Sequence, residues 1–236
     1  MVGGEDPNEL WLLANFAFGN PNNPETLGQL VAACKGCYDA AINYNAPFVS
    51  GKDSLYNVFV HPDGTADPVA PTLVITAVGI AKQVDNIPLT GLVSPGNHVF
   101  LIGPAQGALG GSHLDLVYFA GGRGGEVPQP DETAIERHRQ LARAIAAGFV
   151  ASAHDPSEGG NAVAASEWAF AGPLGLHLAL ASDASTLRGQ GPRRSLLEFA
   201  PENTTRFAAP VPTPTLTGQL PTTAQRTSSP STLQPT

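Results

Sequence analysis

The sequence predicts an α/β (α+β) protein with a mixed sheet, arranged as two successive units. Three observations lead there. The first hundred residues read strand, helix, strand, strand, strand, which is the pattern of a layered α/β fold rather than a bundle or an all-β sandwich. A break over residues 84–96 holds Pro88, Pro95 and Gly96 and closes that run. A second alternation of strands and helices then extends to about residue 181. We place the boundary at residues 88/89.

Taken in order, Leu10 to Phe18 is an apolar run of strand type, ended by Gly19-Asn20-Pro21. Asn23, Pro24 and Glu25 form a helix start: an N-capping amide, a proline at the first turn, and a carboxylate at the positive end of the dipole. Leu27, Leu30, Val31, Cys34, Tyr38, Ala41 and Ile42 recur at three- and four-residue steps, so the helix is predicted over about 24–44. Two strand-like runs then flank a turn at Gly51-Lys52-Asp53-Ser54, the second from Leu55 to Val60. After the polar loop at residues 61–64, Thr72 to Lys82 is rich in Val, Ile and Thr and reads as a strand.

The second unit opens with a strand from His98 to Ile102 and a glycine-rich stretch from Gly103 to Ser112. Helices are expected over about 132–148 and from about 160 to the stop at Gly172-Pro173, with a strand from Leu176 to Ala181 after them. His154-Asp155 before a glycine pair reads either as an acid/base couple or as a helix cap supplied by Asp155 or Ser157. From Ala208 to Thr236 the chain is dominated by Pro, Thr, Ser and Gln. Such a stretch buries too little to offset its ordering entropy and is expected to be disordered, as a translation out of frame would be.

Composition narrows the functions. Twelve basic side chains stand against 20 acidic ones, and no Lys/Arg stripe appears, so nucleic acid is not an expected partner. No apolar run is long enough to cross a bilayer, so no membrane role is expected and the cytoplasm is the default location. The two cysteines, Cys34 and Cys37, form Cys-x-x-Cys in mid-helix, without a second ligand pair for zinc; they read as reduced packing residues.

Chemistry concentrates at Pro47-Phe48-Val49-Ser50-Gly51-Lys52-Asp53-Ser54-Leu55. Gly51 allows close approach of a phosphate, Lys52 can neutralise it, Asp53 can hold Mg²⁺, and Ser54 can donate a hydrogen bond. The same residues also fit a tight turn with a surface Lys–Asp pair.

This segment is one of several collinear blocks. The others are Asn15-Phe16-Ala17-Phe18-Gly19-Asn20-Pro21, Pro24-Glu25-Thr26, Pro71-Thr72-Leu73, Leu109-Gly110-Gly111-Ser112 and His154-Asp155-Pro156-Ser157-Glu158-Gly159-Gly160. In that order they resemble the synthetase subunit of phosphoribosylformylglycinamidine synthase, over roughly three-quarters of the chain. The resemblance implies an aminoimidazole-ribonucleotide-synthetase-like fold. Residues 1–88 would be a partial N-terminal α/β domain that binds ATP and substrate and pairs its sheet with a second copy. Residues 89–207 would be the C-terminal synthetase-like domain, and 208–236 the tail. The chain resembles most of the second of two repeats.

The implied reaction uses ATP and glutamine-derived ammonia to turn formylglycinamide ribonucleotide into the amidine. ATP and Mg²⁺ are the implied cofactors. Gly51 and Lys52 would contact ATP, Asp53 the metal, and Ser54, Gly110, Gly111 and Ser112 the ribonucleotide. The implied partners are a glutaminase subunit or domain, and the first repeat of the same synthetase or a second copy bound through the sheet. Three departures stand out. The family has Asn at the Lys52 position and Asp at the Ala14 position, and Arg188 to Arg194 replaces an expected Ser-Glu-Ser-like stretch. The family's catalytic histidine lies in the first repeat, so the chain is expected to be inactive alone. The alternatives are another ATP-using member of this fold, of selenophosphate, thiamine monophosphate or hydrogenase-maturation type, and a non-catalytic pairing module.

Overall fold

A computed structural model describes residues 9–81, 84–120, 125–129, 131, 133–191, 194–208 and 215–219. The chain divides into two units, Gly3–Lys82 and Gln83–Thr236, each with its own sheet.

In the first unit, β1 (Leu10–Ala17) leads into α1 (Pro24–Tyr44) and β2 (Phe48–Ser54). A hairpin of β3 (Val58–Val60) and β4 (Ala66–Pro68) comes next, then β5 (Thr72–Gly79). Asn23 caps α1 as its sequence requires, its side chain accepting from the Glu25 amide at 2.9 Å. Asn45 ends the helix in the left-handed region at φ 50°, where asparagine is among the few tolerated residues. The sheet runs β2-β1-β5, parallel between β1 and β2 and antiparallel between β1 and β5.

Little of this unit is fully buried: Phe18, Gly19 and Ala46 are its buried residues among those described. The helical stripe read as a core-facing surface is instead split. Leu30, Ala33 and Cys37 are half-buried, whereas Leu27, Val31, Tyr38 and Ile42 are exposed, the last two at 66% and 67%. Cys34 is exposed as well, so of the two cysteines only Cys37 packs.

The second unit contains β6 (His98–Ile102), α2 (His113–Phe119), α3 (Ala134–Ala146), β7 (Val150–His154), α4 (Gly160–Phe170), β8 (His177–Leu178), α5 (Ala184–Arg188), β9 (Ser195–Phe199), α6 (Pro201–Ala208) and β10 (Thr215–Gln219). The sheet order is β7-β9-β6-β10-β8. Side chains alternate across β6 and β9. Phe100, Ile102, Leu197 and Phe199 join Leu141 and Ile145 of α3 in one apolar cluster. Val99, Leu101 and Leu196 join Trp168 and Ala164 of α4 in the other. A sheet covered on both faces explains why β6 reads as an unbroken apolar run after His98.

Glu198 interrupts that pattern. It is fully buried, and its carboxylate accepts from the Val93 amide (2.9 Å), the Ser94 amide (3.0 Å), Asn97 Nδ2 (2.7 Å) and the Ser152 hydroxyl. Trp168 Nε1 donates to the same hydroxyl at 3.0 Å. Satisfied in this way, a buried acid ties the 93–97 loop and two strands to α4.

Several expectations need correction. Gly51 to Ser54 is not a turn but the C-terminal half of β2. Parallel pairing with β1 holds it extended, because ladder hydrogen bonds use the main chain and ignore side-chain propensity. The strand expected from Leu55 shortens to β3, since Tyr56 takes a left-handed φ of 71°. The strand expected over Leu176 to Ala181 is reduced to two residues. Within the stretch expected to lack order, Thr215–Gln219 pairs with β6 and β8; a sheet edge binds backbone of almost any composition. The rest of 209–236 lies outside the described residues.

Candidate functional site

The residues singled out in the sequence fall into two groups, one in each unit. In the first, the pleat of β2 sorts them by face, because successive strand side chains point to opposite sides. Gly51 and Asp53 pair in register with Ala14 and Phe16 of β1, and Lys52 and Ser54 with Asn15 and Ala17. Ala14 and Gly51, both positions where the resemblance implies nucleotide contact, are thus direct neighbours. A Cβ at residue 51 would lie 3.3 Å from the Ala14 carbonyl oxygen, so glycine keeps this spot low and accessible. On the opposite face Lys52 Nζ donates to Ser54 Oγ. That bond leaves the serine proton free to donate onward, beside a fixed cation. Ser54 is held in turn through its carbonyl, which accepts from the Phe18 amide at 3.0 Å and from Asn57 Nδ2 at 2.9 Å.

Asp53 and Lys52 therefore do not form one cluster. Asp53 is exposed on an edge strand, and no group of three or more His, Cys, Asp or Glu able to hold a metal occurs among the described residues. One carboxylate suits Mg²⁺ carried in by a nucleotide, since this ion keeps water and phosphate oxygens as its other ligands. It does not make a protein-only metal cage.

In the second unit, Gly110 and Gly111 sit in the loop before α2. Gly111 takes φ 68°, and a Cβ on Gly110 would overlap the Gly125 backbone. Ser112 is 1% exposed, and its hydroxyl caps α2 by accepting from the Asp115 amide at 3.2 Å. This serine is occupied by the fold, whereas Gly110 lines a cavity of about 810 Å³ together with Gly107, Ser185, Gln190 and Arg194. The cavity walls are pinned: the Gly107 amide donates to the Ser185 carbonyl at 2.9 Å, and Ala108 and Gln190 exchange backbone bonds of 2.9 and 2.8 Å. Asn161 braces both sides, donating to the Ala105 and Thr186 carbonyls at 3.2 and 2.8 Å.

His154 contacts Glu167 at 3.1 Å on the surface and is not coupled to Asp155. The N-cap of α4 is Gly159, at φ 78° and without a side-chain bond, so neither Asp155 nor Ser157 caps that helix. The cavity and Arg194 were invisible in the sequence. Their only signal was the departure at Arg188 to Arg194.

Residues 94–202 match the AIR synthase related protein C-terminal domain family. A relative from Parasynechococcus marenigrum, phosphoribosylformylglycinamidine synthase subunit PurL, is 36% identical over 184 residues, covering 75% of this chain and 24% of the relative. The chain thus spans about a quarter of the length of the curated relatives it matches. The fold is similar to PurLQS from Thermotoga maritima, with TM-score 0.62 and 15% identity over 93% of this chain and 35% of that one. It is equally similar to hydrogenase maturation protein HypE in complex with ATP, with TM-score 0.62 and 15% identity over 93% and 66% of the two chains.

Proposed function

We propose that this chain, whose residues 94–202 match the AIR synthase related protein C-terminal domain family, is a section of a PurL-type phosphoribosylformylglycinamidine synthase. The observation that carries the reading is the 36% identity with a PurL subunit over 184 residues; the solved PurLQS and HypE structures stand alike at 15% identity and do not separate the two readings. The likeness to HypE supports an alternative ATP-using activity of the same fold, and supports it less strongly.

In the proposed reaction the glycinamide carbonyl oxygen of the ribonucleotide, not that of its formyl group, attacks the γ-phosphorus of ATP and releases ADP. Ammonia adds to the activated carbon, and the oxygen leaves with inorganic phosphate, giving the amidine. An amide oxygen is a poor leaving group, and phosphorylation corrects that. Within this chain, Gly51 would admit a phosphate close to the backbone, and Lys52 would neutralise its charge. The Ser54 hydroxyl, turned outward by Lys52, would donate to the ribonucleotide, with Gly110 and Gly111 contributing a second contact. Asp53 would hold Mg²⁺, which screens phosphate charge.

Ammonia would come from a glutaminase partner, and the exposed sheet would pair with the first repeat or a second copy. By itself this quarter-length stretch would turn over little or no ATP.

Titrating the full chain with a non-hydrolysable ATP analogue, with and without Mg²⁺, tests the reading. Saturable binding that tightens with Mg²⁺ is expected. No binding in either condition, together with no ammonia-dependent turnover after the remainder of a PurL subunit is added, would reject it.

A further inference from the structure

Helix α1 carries two apolar stripes, and one of them stays exposed. Leu30, Ala33, Cys37 and Ala41 are half-buried and form the first. Leu27, Val31, Cys34, Tyr38 and Ile42 form the second, and at 3.6 residues per turn they fall within about 80° of the helix circumference. Val31, Tyr38 and Ile42 are 60%, 66% and 67% exposed. Steps of four, three, four and four residues keep this row on one face along most of Pro24–Tyr44, which is the spacing of a seam that receives another helix.

The seam fits a copy of itself. Take two such helices antiparallel, with a two-fold axis between residues 34 and 35. Leu27 then faces Ile42, Val31 faces Tyr38, and the two Cys34 side chains meet near the axis. Each contact occurs twice, as an isologous interface requires. The large Tyr38 ring meets the smaller Val31 both times, and the short Cys34 side chain lets the helices approach at their crossing. The charges beside the seam do not oppose a like partner. Lys35 Nζ and Asp39 Oδ2 are 2.6 Å apart and neutralise each other, and Glu25 lies round the far side of the helix. Five side chains per copy make a small interface, below about 1,200 Å² in total, and interfaces of that size are transient.

We propose that the exposed stripe of α1 is a self-association surface, on which a second copy of the chain packs its own α1 antiparallel. This surface does not use the β2-β1-β5 sheet, and the inference stands whether or not the ATP reading of β2 holds.

The test is sedimentation equilibrium of the full chain at about 1–500 μM in about 0.15 M salt, where a concentration-dependent monomer–dimer equilibrium is expected. In Cys37→Ser the remaining thiol is Cys34, and a short bismaleimide should join two chains through it. Val31→Lys sets a cation in the seam twice and should weaken the dimer by about tenfold or more. Residue 31 is exposed, so the variant should fold, with unchanged helical circular dichroism as the check; Tyr38→Lys repeats the measurement at the facing position. A dimer formed through the sheet would be indifferent to both substitutions. A chain that stays monomeric throughout, a dimer that neither substitution weakens, or failure of the Cys34 cross-link to form overturns the proposal.

Discussion

Asn97 Nδ2 lies 2.7 Å from Glu198 Oε1, joining a loop before β6 to a strand a hundred residues later through a fully buried carboxylate. Glu198→Gln would turn an amide N–H₂ toward donors that now meet an oxygen. A loss of about 2–4 kcal/mol is expected, read as a lower urea midpoint with an unchanged slope. Stability equal to wild type would show that the network is not what anchors the loop.

Trp168 fills the cluster on the α4 side and donates to Ser152. Trp168→Phe removes mainly the hydrogen bond, for about 1 kcal/mol, whereas Trp168→Ala also leaves a cavity, for about 3–5 kcal/mol. Denaturant titration of both variants separates the two contributions. Equal losses would contradict this division.

At β2, Lys52→Ala should weaken ATP-analogue binding by about tenfold whether or not Mg²⁺ is present, since it deletes a phosphate counter-charge. Asp53→Asn should instead abolish the Mg²⁺-dependent part of the affinity and spare the remainder. Calorimetry of the two variants with and without Mg²⁺ distinguishes these outcomes, and identical behaviour would refute separate roles on opposite faces of the strand.

Two carboxylates make the second unit sensitive to acid. Hydrogen bonds from Ser185 and Thr186 hold Asp183 down at about 2. At Asp131 partial burial acts to raise the pKa, but bonds from Arg137 and Thr133 outweigh it, and the group also titrates at about 2. Both lie below the unfolded value of about 3.9. Their stabilisation is therefore complete above about pH 4 and drains away as pH falls toward 2. Asp183→Asn and Asp131→Asn should each flatten the fall in melting temperature across that window, and an unchanged slope would argue against it.

Thiol labelling provides a check on the first unit. Cys37 is half-buried, and burial, with a smaller effect from Cys34, raises its pKa, while Cys34 is exposed. Iodoacetamide at neutral pH should modify Cys34 first, as peptide mapping would reveal. Faster reaction at Cys37 would be inconsistent with this arrangement.

Features encoded within a few residues were legible in the sequence. Asn23-Pro24-Glu25 announced α1, and the apolar run at His98–Ile102 announced β6. Features decided by distant partners were not. Gly51-Lys52-Asp53-Ser54 has turn-like composition, yet β1 lies alongside and draws it into a strand. Glu198 sits within Ser-Leu-Leu-Glu-Phe, where no local pattern discloses that Val93, Asn97 and Ser152 converge on it. Of the proposed contacts, Gly110 faces a cavity, but the demand of α2 for a cap takes Ser112 inward. The stripe on α1 was periodic as expected. Periodicity locates an apolar face without saying whether this unit or another molecule covers it.

Strand β10 leaves the chain unusual latitude near its end. Thr215–Gln219 occupies its slot between β6 and β8 through main-chain hydrogen bonding. That pairing asks for a main-chain N–H and C=O at each rung, so proline is the substitution it refuses, and a peptide offered in trans could compete for the slot. Trimming the segment would do the reverse, detaching β8 and turning β6 into an open border that recruits neighbouring molecules.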